Sequence, residues 1–254
     1  MSKLHYQILG TGEPLVMLHG WAMHSGIWQS FAERLAEHYQ VICIDLPGHG
    51  YSEPLAENSL AAITGALLEV IPVSQFKLLG WSLGAILAID LAARAKDRVT
   101  GLMLLAANPC FVANETWPGV DAAVLEAFAG QLALDVRQTL WHFLALQVTG
   151  LDNAKRLLVQ LRQLLESRPF ADPLALQAGL AILECGDVRF QLRDLSCPVV
   201  VILGGQDKLV PVAVADAYKH LHPAIEIRVL QQAGHVAFLS DPDQVLPYLL
   251  AEQS

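Results

Sequence analysis

Phe76-Lys77-Leu78-Leu79-Gly80-Trp81-Ser82-Leu83-Gly84-Ala85-Ile86-Leu87-Ala88-Ile89-Asp90-Leu91-Ala92-Ala93 decides the fold. The first four residues are a short apolar run of strand character. From Ala85 onward the chain is rich in Ala and Leu, in the manner of a helix. Between them lies Gly-x-Ser-x-Gly, which places Ser82 on a tight strand-to-helix turn with its hydroxyl presented as a nucleophile. The two glycines answer a steric demand. Such a turn strains the backbone and brings neighbouring segments close, so a Cβ at 80 or 84 would clash.

Strands and helices alternate outward from this turn. Residues 15–18 read as a buried strand ending at His19-Gly20, and 31–38 as a helix. Residues 40–44 form the next strand, which runs into Asp45-Leu46-Pro47-Gly48-His49-Gly50. A helix over 60–71 leads to the Ser82 strand, and 99–106 follow as another strand. Continuous apolar strands in βαβα order predict an α/β fold, with a mostly parallel central sheet covered by helices on both faces. From Phe111 to about Asp187 the pattern offers no strand, only helices over 122–132, 136–147, 153–166 and 173–183. Gly150, Pro169 and Gly186 are among the breaks between them. Alternation resumes with a strand at 198–203, a helix at 212–221, a strand at 225–230 and a closing helix at 244–252. The expected organisation is a core of residues 1–111 and 187–254, interrupted by a helical cap of residues 112–186.

The chain has 254 residues, of which 54% are hydrophobic and 16% charged, a balance that suits a large buried core. No apolar run reaches the ~20 residues of a membrane span. The first residues lack the apolar stretch of a signal peptide, so the cytoplasm is the expected compartment. A net charge of −9 argues against nucleic acid as a partner. Cys43, Cys110, Cys185 and Cys197 have no metal-ligand spacing, and Cys43 and Cys197 are expected as buried free thiols. The charge is uneven. Between Asp135 and Arg168, five basic residues (Arg137, Lys155, Arg156, Arg162, Arg168) face three acids, a locally positive segment on an acidic chain.

A serine hydroxyl needs a base within hydrogen-bond reach, and the base needs an orienting group. For a serine on a strand-to-helix turn the partners follow in the order acid, then histidine. The strand at 198–203 runs into Gly204-Gly205-Gln206-Asp207, and the strand at 225–230 into Gln231-Gln232-Ala233-Gly234-His235. Both loops lie beyond strand carboxyl ends, where open parallel sheets build their sites. Of nine histidines, five precede Ser82, His142 is in the helical insertion, and His220 and His222 end a helix. That leaves His235 as base and Asp207 as its orienting acid. An oxyanion would be held by the backbone N–H groups of Leu83 and of Trp21, in the loop after the first core strand. This chemistry needs no metal and no cofactor.

Leu18-His19-Gly20-Trp21, Asp45-Leu46-Pro47-Gly48, Gly80-Trp81-Ser82-Leu83-Gly84 and Gly234-His235 resemble the α/β-hydrolases in general. Asn108-Pro109-Cys110-Phe111, Trp117-Pro118-Gly119 and Phe143-Leu144-Ala145-Leu146-Gln147 resemble more narrowly the carboxylesterases of biotin synthesis that act on pimeloyl-acyl-carrier-protein methyl ester. The resemblance covers nearly the whole chain. It implies a monomeric serine esterase that releases methanol from the far end of a pimeloyl chain carried on acyl carrier protein. Substrate contacts would fall on Trp21, Ser82, Leu83, Phe143, Leu144, Ala145, Leu146, Gln147 and His235. Acyl carrier proteins are acidic, so Arg137, Lys155, Arg156 and Arg162 would form the face that meets one. The triad alone leaves open a general short-chain carboxylesterase or a C–C bond hydrolase on the same scaffold, and more remotely a non-catalytic binding module.

Overall fold

The computed structural model describes residues 3–250. Seven strands, β1 (Tyr6–Leu9), β2 (Glu13–Leu18), β3 (Tyr39–Ile44), β4 (Phe76–Trp81), β5 (Val99–Leu105), β6 (Val199–Gly204) and β7 (Glu226–Leu230), form one sheet in the order β1-β3-β2-β4-β5-β6-β7. All neighbours are parallel except β1, which runs antiparallel to β3 with Tyr6 opposite Ile44. Parallel strands need crossover connections, and here these are helices that cover both faces. Leu15 to Leu18, Val41, Ile42, Leu78 and Leu79 are therefore fully buried.

The helices are α1 (Gln29–Leu35), α2 (Leu60–Val70), α3 (Leu83–Arg94), α4 (Ala122–Leu134), α5 (Val136–Val148), α6 (Ala154–Glu166), α7 (Pro173–Cys185), α8 (Arg189–Arg193), α9 (Val214–Leu221), α10 (Ala237–Ser240) and α11 (Pro242–Leu250). The sequence pattern extends the last helix to Glu252, which lies outside the described residues. A 3-10 turn, Ser25–Trp28, precedes α1. Helices α3 and α2 pack together on the sheet, and every residue from Leu83 to Ala92 is buried.

Among the described residues no strand lies between β5 and β6; α4 to α8 fill that interval, the first four where the sequence reads helices and the short α8 in addition. The starts of α4, α5 and α7 are set by carboxylates that accept from backbone donors of the first turn, whereas α6 begins after Asn153 without a side-chain cap. Asp121 accepts from Ala123 N, Asp135 from Gln138 N, and Asp172 from Leu174 N, with Pro173 in the first turn of α7. The α6–α7 half is fastened to the sheet domain by polar contacts. His24 Nε2 donates to Leu164 O (2.8 Å), Trp21 Nε1 to Leu176 O (2.9 Å), and Asp172 N to Gly48 O (2.7 Å). Arg168 Nη1 reaches both carboxylate oxygens of Asp45 at 3.0 Å. No hydrogen bond runs from α4 or α5 to the sheet domain among the described residues.

Two expectations need correction. Strand β1 is absent from the sequence reading, because four half-exposed residues at a sheet edge carry neither an apolar run nor clean alternation. Cys43 is buried, but Cys197 lies before β6 and is only half-buried. All four cysteines are free.

Topology locates the site. From β2 the chain builds β3 on one side, and then β4 and its successors on the other. The loops after β2 and β4 therefore diverge and leave a crevice at the carboxyl ends of the strands, the usual ligand position in open α/β sheets.

Candidate active site

Ser82 joins β4 to α3 with φ 56° and ψ −119°, a conformation that L-residues rarely adopt. Its N–H donates to Leu105 O (3.1 Å) and its carbonyl accepts from Ala85 N (2.9 Å), which pins the turn from both sides. A Cβ on Gly80 would strike Gly84 O and come within 2.6 Å of Ala85 Cα. One on Gly84 would strike Leu18 O and come within 2.5 Å of His19 O. Both glycines thus permit backbone-on-backbone contact, and the second presses the start of α3 against the loop after β2. That loop, His19-Gly20-Trp21, lies against the serine: a Cβ on Gly20 would be 3.2 Å from Ser82 Cβ. Leu83 N–H is one of the unpaired donors at the start of α3. Among the described residues neither it nor Trp21 N–H donates a hydrogen bond within the chain.

Asp207 and His235 come together at the ends of β6 and β7. Asp207 Oδ1 accepts from Leu209 N (2.8 Å) and Val210 N (3.0 Å), and Oδ2 accepts from His235 Nδ1 (2.8 Å). With the proton held on Nδ1, Nε2 of the neutral imidazole carries the lone pair. That Nε2 is buried and has no partner among the described residues. Trp81, next to the serine, fixes the histidine backbone by donating from Nε1 to His235 O (2.9 Å). Ser82 is only 3% exposed, so the group is sealed.

Residues of α5 and α7 pack around this buried group. Phe143 sets its ring edge-on to Trp21, with centroids 4.8 Å apart. Gly179 of α7 lies so close that a Cβ there would stand 2.6 Å from Trp21 Cδ1 and 3.1 Å from Leu83 Cδ2. Gln147 is 2% exposed, and both polar atoms of its side chain lack partners. Its carbonyl lies against Gly234, next to His235. Of the stretch 143–147, Phe143 and Gln147 are thus placed against site residues one helical turn apart. Leu146 lines a cleft between α4 and α5, Leu144 is buried among apolar neighbours, and Ala145 is half-buried.

The basic segment divides. Lys155 and Arg156 are exposed and, among the described residues, have no ion-pair partner. Arg137 pairs with Glu166 (2.8 Å), and the guanidinium groups of Arg137 and Arg162 both lie over the Trp141 ring, at 4.6 and 5.0 Å. Arg168 does not belong to the surface group at all. It turns inward to Asp45, whose side chain is fully buried and also accepts from Ser25 N (2.6 Å), Tyr51 N (3.0 Å) and His5 Nδ1 (3.0 Å). Burial opposes ionisation of Asp45, but the field of His19 and the hydrogen bonds from Tyr51 and Ser25 hold it below the ordinary carboxylate range. His19 is pushed down to about 3 by burial, then by His49. Nothing in the sequence pairs Asp45 with a residue 123 positions away, and this fastening was not foreseen. Among the described residues no group of three or more His, Cys, Asp or Glu could hold a metal. No helix among them is long and apolar enough to cross a membrane.

Sheet order, elbow serine and the acid–histidine pair beyond the ends of β6 and β7 define a class. The chain belongs to the α/β hydrolase fold family, whose model matches residues 13–242. Solved structures agree at the level of fold. An esterase from Exiguobacterium antarcticum superposes with a TM-score of 0.88 at 22% identity, covering 98% of this chain and 94% of the other. Relatives narrow the class. The pimeloyl-[acyl-carrier protein] methyl ester esterase of Nitrosomonas europaea is 41% identical over 96% of this chain and 97% of its own. That of Vibrio vulnificus is 38% identical over 98% of each. The chain belongs to this family of pimeloyl-[acyl-carrier protein] methyl ester esterases, and is a carboxylic ester hydrolase.

Proposed function

We propose that the chain hydrolyses the methyl ester of pimeloyl-acyl carrier protein, in biotin synthesis, through Ser82, His235 and Asp207. Ser82 Oγ attacks the ester carbonyl at the far end of the pimeloyl chain, and His235 Nε2 takes its proton. The N–H groups of Trp21 and Leu83 stabilise the oxyanion, aided by the α3 N-terminus. Collapse expels methanol, protonated by His235, and leaves an ester between Ser82 and the acyl chain. Water, deprotonated by the same nitrogen, then attacks that ester. The acid leaves and the proton returns to Ser82. Asp207 keeps the imidazole in the tautomer that makes Nε2 the base, and stabilises the cation.

The observation that carries this reading is His235 Nε2, buried and unpartnered beside an elbow serine, with Nδ1 committed to Asp207. An unpaired buried polar atom is costly, and one at a site is an acceptor waiting for the reacting proton. The unpartnered amide of Gln147 is the matching polar feature on the helical side, and we assign it a substrate contact. The substrate rests on what the relatives are named for. Residues 112–186 act as a cap over the chamber.

Lys155, Arg156, Arg162 and Arg137 form the docking face for an acidic carrier. The first two are unpaired among the described residues, and Val159 beside them is 55% exposed. Reversing the charge of Lys155, Arg156 and Arg162 together should raise KM for the carrier-bound ester. It should leave kcat on p-nitrophenyl acetate nearly unchanged; an equal loss on both rejects the face. The substrate itself is tested with carrier-bound methyl esters of shorter and longer diacids. A maximum in kcat/KM at pimeloyl supports the assignment, and a flat profile marks a general carboxylesterase.

A further inference from the structure

The sealed serine poses a question of access: some part of the wall must part to admit an acyl chain. The α6–α7 half is held to the sheet side by Arg168, which reaches both Asp45 and Ser25, and by three further hydrogen bonds. Among the described residues the α4–α5 half has no such tie. The ring of Phe143 on Trp21 and the Gln147 carbonyl against Gly234 are its close approaches at the site. Separation is cheapest where apolar surfaces meet without polar fasteners, because no buried donor or acceptor is left unpaired.

A cleft of about 400 Å³ opens on this half, between α4 and α5. Ala123, Val124, Ala127, Phe128 and Leu146 give it an apolar floor, and Gln131, His142 and Asp121, whose carboxylate caps α4, are its polar edge. Phe128 belongs to the cleft and also meets Phe143 edge-on, with centroids 5.7 Å apart and the rings at 86°. Phe143 in turn meets Trp21. Two rings therefore separate the cleft from the loop that lies against the serine.

The geometry points to this cleft as the outer half of the path for the ester's neutral aliphatic acyl chain, with the Phe128–Phe143 contact as its inner gate. The occupant follows from the lining. Methylenes gain by burial against Val124, Ala127, Phe128 and Leu146, whereas a charged segment would lose its hydration there. Leu146 and Phe143 are successive contacts on one helix, so a chain lying in the cleft is already aimed at the chamber. The inference rests on the esterase reading for the chemistry of the chain, and is independent of the carrier.

Ala127 is exposed on α4, so a larger side chain there fills the cleft without disturbing a core. The experiment measures methanol release from dimethyl pimelate and from methyl acetate by wild type, Ala127→Trp and Ala127→Asp. The first variant blocks by volume and the second by charge. Both should lower kcat/KM for dimethyl pimelate at least tenfold and leave methyl acetate within twofold. Equal changes on the two esters, or no change on either, overturn the inference, as does a wild type that does not prefer the longer ester. A selective loss in the variants, with a wild type indifferent to carrier attachment, keeps the cleft and sinks the carrier assignment.

Discussion

Replacing Asp207 by asparagine separates two jobs of one carboxylate. Oδ1 serves two backbone donors, Leu209 N at 2.8 Å and Val210 N at 3.0 Å, while Oδ2 serves His235 Nδ1 at 2.8 Å. An asparagine has one oxygen for these three donors. Turning its NH2 toward the loop would leave two buried N–H groups unmet, about 2–6 kcal/mol at roughly 1–3 kcal/mol each. The oxygen therefore stays with the loop and the NH2 faces the imidazole. Nδ1 must then accept, the ring proton moves to Nε2, and the base is lost. We expect kcat to fall by about 10⁴ with the fold almost intact. Alanine reverses the ranking. It leaves both loop donors unmet and is the less stable variant, but it imposes no wrong tautomer and keeps more activity. The assay is kcat on p-nitrophenyl acetate together with the urea midpoint of each protein. An asparagine variant as active as the alanine variant, or less stable than it, would refute the reasoning.

Gly179→Ala should displace Trp21 and Leu83 together, since the new methyl would stand 2.6 and 3.1 Å from their side chains. Steady-state kinetics should show kcat reduced by roughly 10–100-fold, a 1.4–2.7 kcal/mol loss of oxyanion stabilisation, and an unchanged kcat would clear α7 of any role there. Arg168→Met strands a buried carboxylate and should cost about 3–5 kcal/mol in urea denaturation. Adding Asp45→Asn should recover part of that, and a double variant no better than the single would deny the pair. Acid should weaken the fold through His19, whose native pKa of about 3 lies below its ordinary 6.5. The unfolded chain then takes up the proton first, so the contribution is whole above pH 6.5 and drains away down to pH 3. His19→Gln should flatten the stability–pH slope between pH 4 and 6 by about 1.4 kcal/mol per unit, measured by chemical denaturation at fixed pH values.

Features written in contiguous residues were legible before any coordinates. The core strands are mostly apolar runs, and the breaks at Gly150, Pro169 and Gly186 fall between or after the inserted helices. Asp207 could be chosen because it follows a strand, and His235 because the order and placement of the other histidines exclude them. What the sequence hides is pairing across long separations. Arg168 counts as surface charge until the fold turns it toward Asp45, and the tie from Trp21 to Leu176 spans 155 residues. Phe143 and Gln147 came from family likeness. Their spacing of four residues says only that they share a helix face, not that this face meets a serine.

The backbone of Ser82 bears on how a stalled complex can be made. A φ of 56° with ψ −119° costs an L-residue on the order of 1–3 kcal/mol. Every molecule of the enzyme carries that cost at the residue it can least replace. Alanine in that place abolishes the nucleophile but keeps the Cβ and the discomfort. Glycine abolishes both. Ser82→Gly should therefore melt above the wild type, and Ser82→Ala should not, which makes glycine the substitution of choice for an inert, long-lived trap of enzyme and uncleaved ester.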